Sequence, residues 1–278
     1  MRFGGPLFDS CPGPGSWLSA LQREGYTAAY CPLDADAPDD IVRAYARAAE
    51  RANVVIAEVG TWSNPLSQNE EERREAVAKC QQGLALAEAI GARCCVNVSG
   101  SHGEQWDGPH PENLTEETFD LIVESVRAII DAVKPSRTFY TLETMPWMYP
   151  DSADSYLRLL RAVDRRQFGV HFDPVNLICS PQRYSNSGAV IREFCAALGP
   201  HIRSCHAKDI ALSGRLTVHL DEVRPGTGGL DYAAFLRELN RLDPDTPLMM
   251  EHLQSREEYA LAAAYIRSAA ASVGARPL

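Results

Sequence analysis

With 278 residues, 45% of them apolar, and a formal charge of −10, the chain can build a large core, as two domains or as one α/β barrel of about 250 residues. The acidic balance argues against a nucleic-acid partner, whose phosphates demand a basic surface. No run approaches the roughly 18–20 apolar residues of a membrane span, and the start MRFGGPLFDS lacks the basic and apolar segments of a secretory signal, so a cytoplasmic protein with no membrane partner is expected.

In chain order, apolar runs that read as buried strands cover residues 2–8, 26–31, 53–59, 93–99, 138–144, 168–173, 202–208 and 247–252, and a helical pattern follows each. Repeated strand–helix units with near-continuous apolar strands imply parallel pairing with helices outside. Phe119, Ile122, Val123, Val126, Ile129, Ile130 and Val133 recur at helical steps and form one apolar stripe. Ser67 with Glu70, and Ser255 with Glu258, have capping-box spacing. Gly91 and Gly199 stand where helix C-caps are expected, and Asp231 is placed to cap a helix over 232–242.

The longer connections, 61–67, 100–113, 145–150, 174–187 and 209–229, all follow strands, the end at which a barrel builds its site. No composition break marks a boundary. The expectation is an α/β fold with one domain over 1–278, a single (β/α)8 barrel. An open doubly wound sheet is the alternative, but it wants Gly-x-Gly-x-x-Gly after the first strand, and FGGPLFDSCPGPG has none. The cysteines form no Cys-x-x-Cys pair, and Cys80, Cys94, Cys95, Cys179, Cys195 and Cys205 fall in apolar patterns. Buried free thiols are therefore expected rather than disulfides.

Four metal-ligating residue types stand at the ends of four successive strands. They are Glu143 in TFYTLETMPW, Asp173 in FGVHFDPVN, His206 in IRSCHAKDI and Glu251 in PLMMEHL, at intervals of 30, 33 and 45 residues. Alternate strand residues share a face, so Thr141 with Glu143, His171 with Asp173, Ser204 with His206, and Met249 with Glu251 should point into the barrel. An acid in that interior is costly without a compensating cation. Any one of the four alone is more often a salt-bridged or capping group; together they point to a shared ion. Three carboxylates and an imidazole suit Mn²⁺, Mg²⁺ or Co²⁺ better than structural zinc.

With LETMPW, HFDPVN, CHAKD, RPGTGGLD and MMEH in this order, the chain resembles the xylose-isomerase-like TIM-barrel superfamily of sugar phosphate isomerases and epimerases over essentially its full length. The resemblance implies one divalent metal, Mn²⁺ first and Mg²⁺ or Co²⁺ as alternatives, held by Glu143, Asp173, His206 and Glu251. It implies a small carbohydrate substrate and a metal-dependent sugar epimerase or isomerase acting on a keto-sugar or keto-glycoside. Glu143 and Glu251 would be the catalytic acid/base pair, one removing the proton beside the carbonyl and the other returning a proton to the enediolate. A lyase eliminating the aglycone of a 3-keto-glycoside needs the same base and metal and stays open. A non-catalytic sugar-binding barrel is a remote third reading. A repair nuclease of the same superfamily would need several metals and more histidines at the rim.

The chain departs from the ketose 3-epimerases of this superfamily at three places. Those enzymes resemble it but carry a histidine where it has Asn176, a glutamate where it has Tyr149 and an arginine where it has Leu212. Hydroxypyruvate isomerases carry a glutamine at His206. A free ketohexose is therefore less favoured than a keto-glycoside or modified sugar. Asn176, Lys208, His102, Trp62, Trp147 and Arg224 are the candidate substrate contacts, and Glu58 a candidate supporting acid behind the ligands. Each has a plainer reading. Lys208 is as well explained by a salt bridge, His102 by a surface loop, and the Gly226–Gly229 segment beside Arg224 by a simple turn instead of an anion site. Trp62, Trp106, Trp147 and Tyr149 either stack on a sugar or aglycone or simply pack on the rim. Barrels of this kind often pair, which leaves homo-oligomerisation open.

Overall fold

The computed structural model describes residues 1–275; the domain expectation runs to 278, and residues 276–278 lie outside the described part. The strands of the main sheet are β1 (Arg2–Gly4), β2 (Ala28–Tyr30), β3 (Val55–Gly60), β4 (Cys94–Asn97), β5 (Phe139–Glu143), β6 (Phe168–Phe172), β7 (Ile202–Ala207) and β10 (Pro247–Met250). Between β7 and β10 comes a separate hairpin, β8 (Asp209–Ser213) and β9 (His219–Val223). The helices are α1 (Pro14–Glu24), α2 (Asp39–Arg51), α3 (Glu70–Ile90), α4 (Glu116–Val133), α5 (Ala153–Val163), the short α6 (Pro181–Ser185), α7 (Ser187–Leu198), α8 (Tyr232–Leu239) and α9 (Arg256–Ser272).

All eight expected strands form, and all pair in parallel in the order β1-β10-β7-β6-β5-β4-β3-β2. The seam between β1 and β2 is bridged by Thr27, whose N–H donates to Phe3 O at 2.9 Å and whose Oγ1 accepts from Phe3 N at 3.2 Å. The result is a nearly closed (β/α)8 barrel. Its outward side chains pack on the helix ring: Phe172 of β6 stacks on Phe194 of α7 with ring centroids 4.3 Å apart. The hydroxyl of Tyr156 on α5 accepts from the N–H groups of Leu142 and His171 and lies within reach of the carbonyls of Leu142 and Gly169. One phenol thereby ties together the two strands that carry Glu143 and Asp173.

Local signals differ in how they are realised. The apolar stripe of α4 is buried from Phe119 to Ile130. Ser255 and Asp231 cap α9 and α8 through their side chains, and Gly91 ends α3 in the left-handed region, φ 82°. The α3 cap is Asn69, not Ser67: Asn69 accepts from the N–H of Glu71 and Glu72, while Ser67 Oγ donates to Glu72. Gly199 follows α7 but stays right-handed, because the chain continues into a short 3₁₀ turn. All eight cysteines are free, yet Cys179 is exposed, since it falls in the loop after β6 and not in an apolar element. Among the described residues no helix is long and apolar enough to cross a membrane.

Candidate active site

Strand length and pleat set the site. Glu143 is the last residue of β5, His206 the next-to-last of β7, and Asp173 and Glu251 follow directly on β6 and β10. Two irregularities in register aim further groups inward. Between β2 and β3 the pairing slips from Ala29↔Ile56 to Tyr30↔Glu58, and between β6 and β7 from Val170↔Ile202 to His171↔Ser204. Bulges of this kind re-aim side chains near barrel rims. Here they bring Glu58 and Ser204 together, with Ser204 Oγ donating to Glu58 Oε2 at 2.7 Å.

Glu143, Asp173, His206 and Glu251 each present one donor atom, and all four atoms lie within 4.8 Å of one another. His206 Nδ1 is 2.7 Å from Glu251 Oε1, 3.2 Å from Glu143 Oε1 and 3.9 Å from Asp173 Oδ2. Asp173 is held by both ends: its N–H donates to Thr144 Oγ1 and its Oδ1 accepts from Val175 N. Its Oδ2, like Glu251 Oε1, is buried without an aligned hydrogen bond. Oxygen donors turned to one point, balanced by ion pairs and not by aligned hydrogen bonds, fit a hard divalent cation.

Lys208 is the compensating charge within the protein. Its Nζ lies 2.6 Å from Glu251 Oε1, 2.8 Å from Asp173 Oδ2 and 3.6 Å from Glu143 Oε1. Burial would depress its pKa, but the three carboxylates outweigh burial and raise it well above the usual lysine range. Burial alone would raise Glu143 as well; His206 and Lys208 reverse that and bring it down to about 2. Asp173, buried and beside Glu143, is instead pushed up to about 6 despite Lys208. For His206 burial opposes the charged form, yet Glu251, Glu143 and Glu58 hold its pKa well above the ordinary value.

Behind the ligands, Glu58 Oε1 takes His206 Nε2 at 3.1 Å and Glu58 Oε2 takes His171 Nε2 at 2.9 Å. Glu58, His171 and His206 also lie close enough to form a metal-sized group of their own. The hydrogen bonds of both imidazoles to the one Glu58 carboxylate make the group a frame for the His206 ring.

The cluster forms one pole of a cavity of about 610 Å³, whose lining includes Trp62, Trp147, Asn176 and Lys208 from the expected contacts. Asn176 Nδ2 donates to Glu143 Oε1 at 3.2 Å. His102 and Arg224 are not among the lining residues. His102 pairs through Nε2 with Thr118 Oγ1 at 2.9 Å, and Arg224 with Glu258 at 2.9 Å. The N–H groups of Gly226, Gly228 and Leu230 are taken up by the Asp209 carboxylate, so that turn fastens the β8–β9 hairpin. Tyr149 is buried, its hydroxyl on Leu114 O and its ring edge-on to Phe119.

Sequence reasoning passed over Glu222, His252, Tyr30 and Tyr259, all of which line the cavity. Glu222 belongs to β9, inside a segment read as loop. The alternation of Ile210, Leu212, Val218 and Leu220 around a Ser-Gly turn was the available signal.

A family model described as xylose isomerase-like TIM barrel matches residues 18–269. No curated protein matches the sequence. Several solved structures share the fold. One is a xylose isomerase-like TIM-barrel protein from Mycobacterium smegmatis in complex with magnesium, 18% identical, with a TM-score of 0.68 over 95% of this chain and 90% of that one. Another is the D-psicose 3-epimerase of Clostridium cellulolyticum H10 with D-tagatose, 13% identical, with a TM-score of 0.69 over 99% and 100%. A third is the 3-keto-D-glucoside 4-epimerase of E. coli, 13% identical, with a TM-score of 0.68 over 96% and 99%.

Proposed function

Because the chain belongs to the xylose isomerase-like TIM-barrel family, we propose that it is a divalent-metal-dependent epimerase or isomerase of a keto-sugar or keto-glycoside. The observation that carries this reading is the pair Glu143 and Glu251. In the sheet β5 and β10 bracket β6 and β7, so the two glutamates flank Asp173 and His206 and face the same cavity. Asp173 and His206 hold the ion with them and have no proton-transfer role. When bound there, a Mn²⁺, Mg²⁺ or Co²⁺ ion supplies Lewis-acid polarisation of a substrate carbonyl and lowers the pKa of the adjacent C–H.

The chain's own residues do the rest. One glutamate removes that proton, and the other returns a proton to the enediolate. Return to the opposite face of the same carbon inverts it, and return to the neighbouring carbon isomerises ketose and aldose. Glu143 and Glu251 are both held below the usual carboxylate range, where burial is outweighed by His206 and Lys208, so either can act as the base at neutral pH. Its partner acts as the acid once it has taken up a proton from water, and the base gives its own proton back to water. Asn176 orients Glu143 through its Oε1 contact. Lys208 stands beside both glutamates and offers a donor to a developing alkoxide.

A second reading, elimination of the aglycone from a 3-keto-glycoside, uses the same proton abstraction. The cavity of about 610 Å³ has room for the glycoside it requires. The test is incubation of the metal-loaded protein with keto-sugars and 3-keto-glycosides in D₂O, followed by NMR and mass spectrometry. Deuterium entering an otherwise intact product supports epimerisation or isomerisation; a released alcohol identifies elimination. Absence of exchange from every member of the panel overturns both.

A further inference from the structure

The chain has four tryptophans. Trp17 is buried in the core, while Trp62, Trp106 and Trp147 remain 38%, 37% and 38% exposed, and all three line the same cavity. They come from the consecutive loops after β3, β4 and β5. Such large apolar rings left partly in water at a binding cleft call for a partner.

Two of these rings are fixed in advance. Trp147 Nε1 donates to Asp107 O at 2.7 Å, and its carbonyl accepts from Asn113 Nδ2 at 3.3 Å. The Trp62 carbonyl accepts from Lys79 Nζ at 2.9 Å. The Trp62 indole lies so close to Gly60 that a Cβ there would be 2.6 Å from Nε1. Only glycine allows that placement.

The charge lining the cavity narrows the ligand further. Asp34, Glu58, Asp107, Glu143, Glu222 and Glu251 face it, against the basic side chains Lys208 and His252. Both are already paired: Lys208 with the clustered carboxylates, and His252 with Glu222 at 3.2 Å. No arginine lines the cavity among the described residues. A phosphate recognised by this family of contacts would want a free guanidinium or ammonium, and there is none here to receive it.

We propose that Trp62, Trp106 and Trp147 form a separate aglycone subsite that takes a flat ring, so that the substrate is an uncharged, unphosphorylated glycoside with a ring-bearing aglycone. This rests on the functional reading above, since it assumes that the carboxylate pole receives the sugar. Stacking on preformed indoles then selects the ring, at little cost in ordering side chains.

The experiment measures binding of unreactive probes to the full-length, Mn²⁺-loaded protein by tryptophan fluorescence and calorimetry. The probes are methyl β-D-glucoside, phenyl β-D-glucoside and D-glucose 6-phosphate. The phenyl glucoside is expected to bind about fivefold to tenfold more tightly than the methyl glucoside. That ratio should collapse toward unity in Trp62→Ala and Trp147→Ala. Glucose 6-phosphate should bind no better than methyl glucoside. If Trp147→Ala unfolds, as circular dichroism would reveal, Trp106→Ala takes its place, because no hydrogen bond among the described residues anchors that indole.

Equal affinity for the two glucosides overturns the proposal. So does a ratio that survives the substitutions, a preference for the phosphate, or no binding of phenyl glucoside at millimolar concentration. The readout does not depend on turnover. Aryl preference without proton exchange from any keto-sugar keeps the subsite and removes the epimerase reading; exchange without aryl preference does the reverse.

Discussion

Glu58 and His206, 148 residues apart in the chain, meet inside the barrel with 3.1 Å between Oε1 and Nε2. Nε2 donates to the carboxylate, and this turns the opposite nitrogen, Nδ1, toward Glu251, Glu143 and Asp173. A carboxylate behind a ligating imidazole fixes its tautomer and raises its basicity. Glu58→Gln keeps the shape but removes the charge. It is expected to lower Mn²⁺ affinity about 10- to 100-fold, measured by calorimetry on protein whose circular dichroism is unchanged. An affinity within twofold of the parent would mean that packing alone orients the ring.

Protons and a metal bound as proposed would compete for the same atoms. Burial together with Glu143 raises the Asp173 carboxyl from 3.8 to about 6, so in the metal-free protein it takes up a proton as pH falls through about 6. His206, charged at neutral pH in the metal-free protein because Glu251, Glu143 and Glu58 outweigh its burial, must give up its Nδ1 proton to ligate. Metal affinity should therefore drop steadily from pH 7 toward about 5, and binding should release protons. Calorimetry in buffers of different ionisation enthalpy reads both.

The sign for stability is opposite at this residue. A carboxyl whose folded pKa is raised favours the folded metal-free protein at low pH, and it loses that contribution as pH rises from 3.8 through about 6. Glu143, lowered from 4.5 to about 2 because His206 and Lys208 outweigh burial, does the reverse. Its contribution is present above 4.5 and lost as pH falls toward about 2. A metal affinity that stays flat from pH 5 to 7 would contradict the assignment of Asp173 as a ligand.

Lys208 is buried within 2.8 Å of both Asp173 and Glu251. Lys208→Met leaves Asp173, Glu143 and Glu251 without that charge, a loss worth about 3–5 kcal/mol when one partner of a buried ion pair is removed. In EDTA the variant should melt well below the parent. Added Mn²⁺ should restore more stability to it than to the parent, because the ion then compensates all three acids. Equal melting of the two proteins in EDTA would show that Lys208 is not what balances the cluster.

Much of this centre is legible in the sequence. Parallel barrel geometry makes strand ends converge, so acids and an imidazole one βα unit apart were enough to place Glu143, Asp173, His206 and Glu251 together. The alternation of His171 with Asp173 and Ser204 with His206 likewise gave the inward face. What was hidden depends on breaks in regularity. Glu58 is expected as a supporting acid, but its partners His171, His206 and Ser204 follow from the slips at Ala29/Tyr30 and Val170/His171, and period-2 reasoning cannot foresee a bulge. The β8–β9 hairpin carries Glu222 to the rim on local pairing, inside a segment whose length and turn residues read as one long loop. His102 and Arg224 stand out in the sequence only by residue type. Their nearest partners, Thr118 and Glu258, come from α4 and α9, packing that no local pattern encodes.

The strongest test of the chemistry compares the two glutamates. Each contributes an oxygen to the cluster, and Gln retains an oxygen there while losing the ability to take a proton. Metal content should therefore be kept, at reduced affinity, in Glu143→Gln and in Glu251→Gln, as checked by elemental analysis. General acid–base catalysis is worth about 10²–10⁴ in rate, so kcat should fall by that order in both. The pattern of exchange separates their roles. If the glutamates act on opposite faces, one variant in D₂O should stop α-proton exchange from one epimer and leave some exchange from the other, and the second variant should show the mirror result. Full turnover by either variant with metal bound would remove it from proton transfer, and identical residual exchange in both would point to a single base serving both faces.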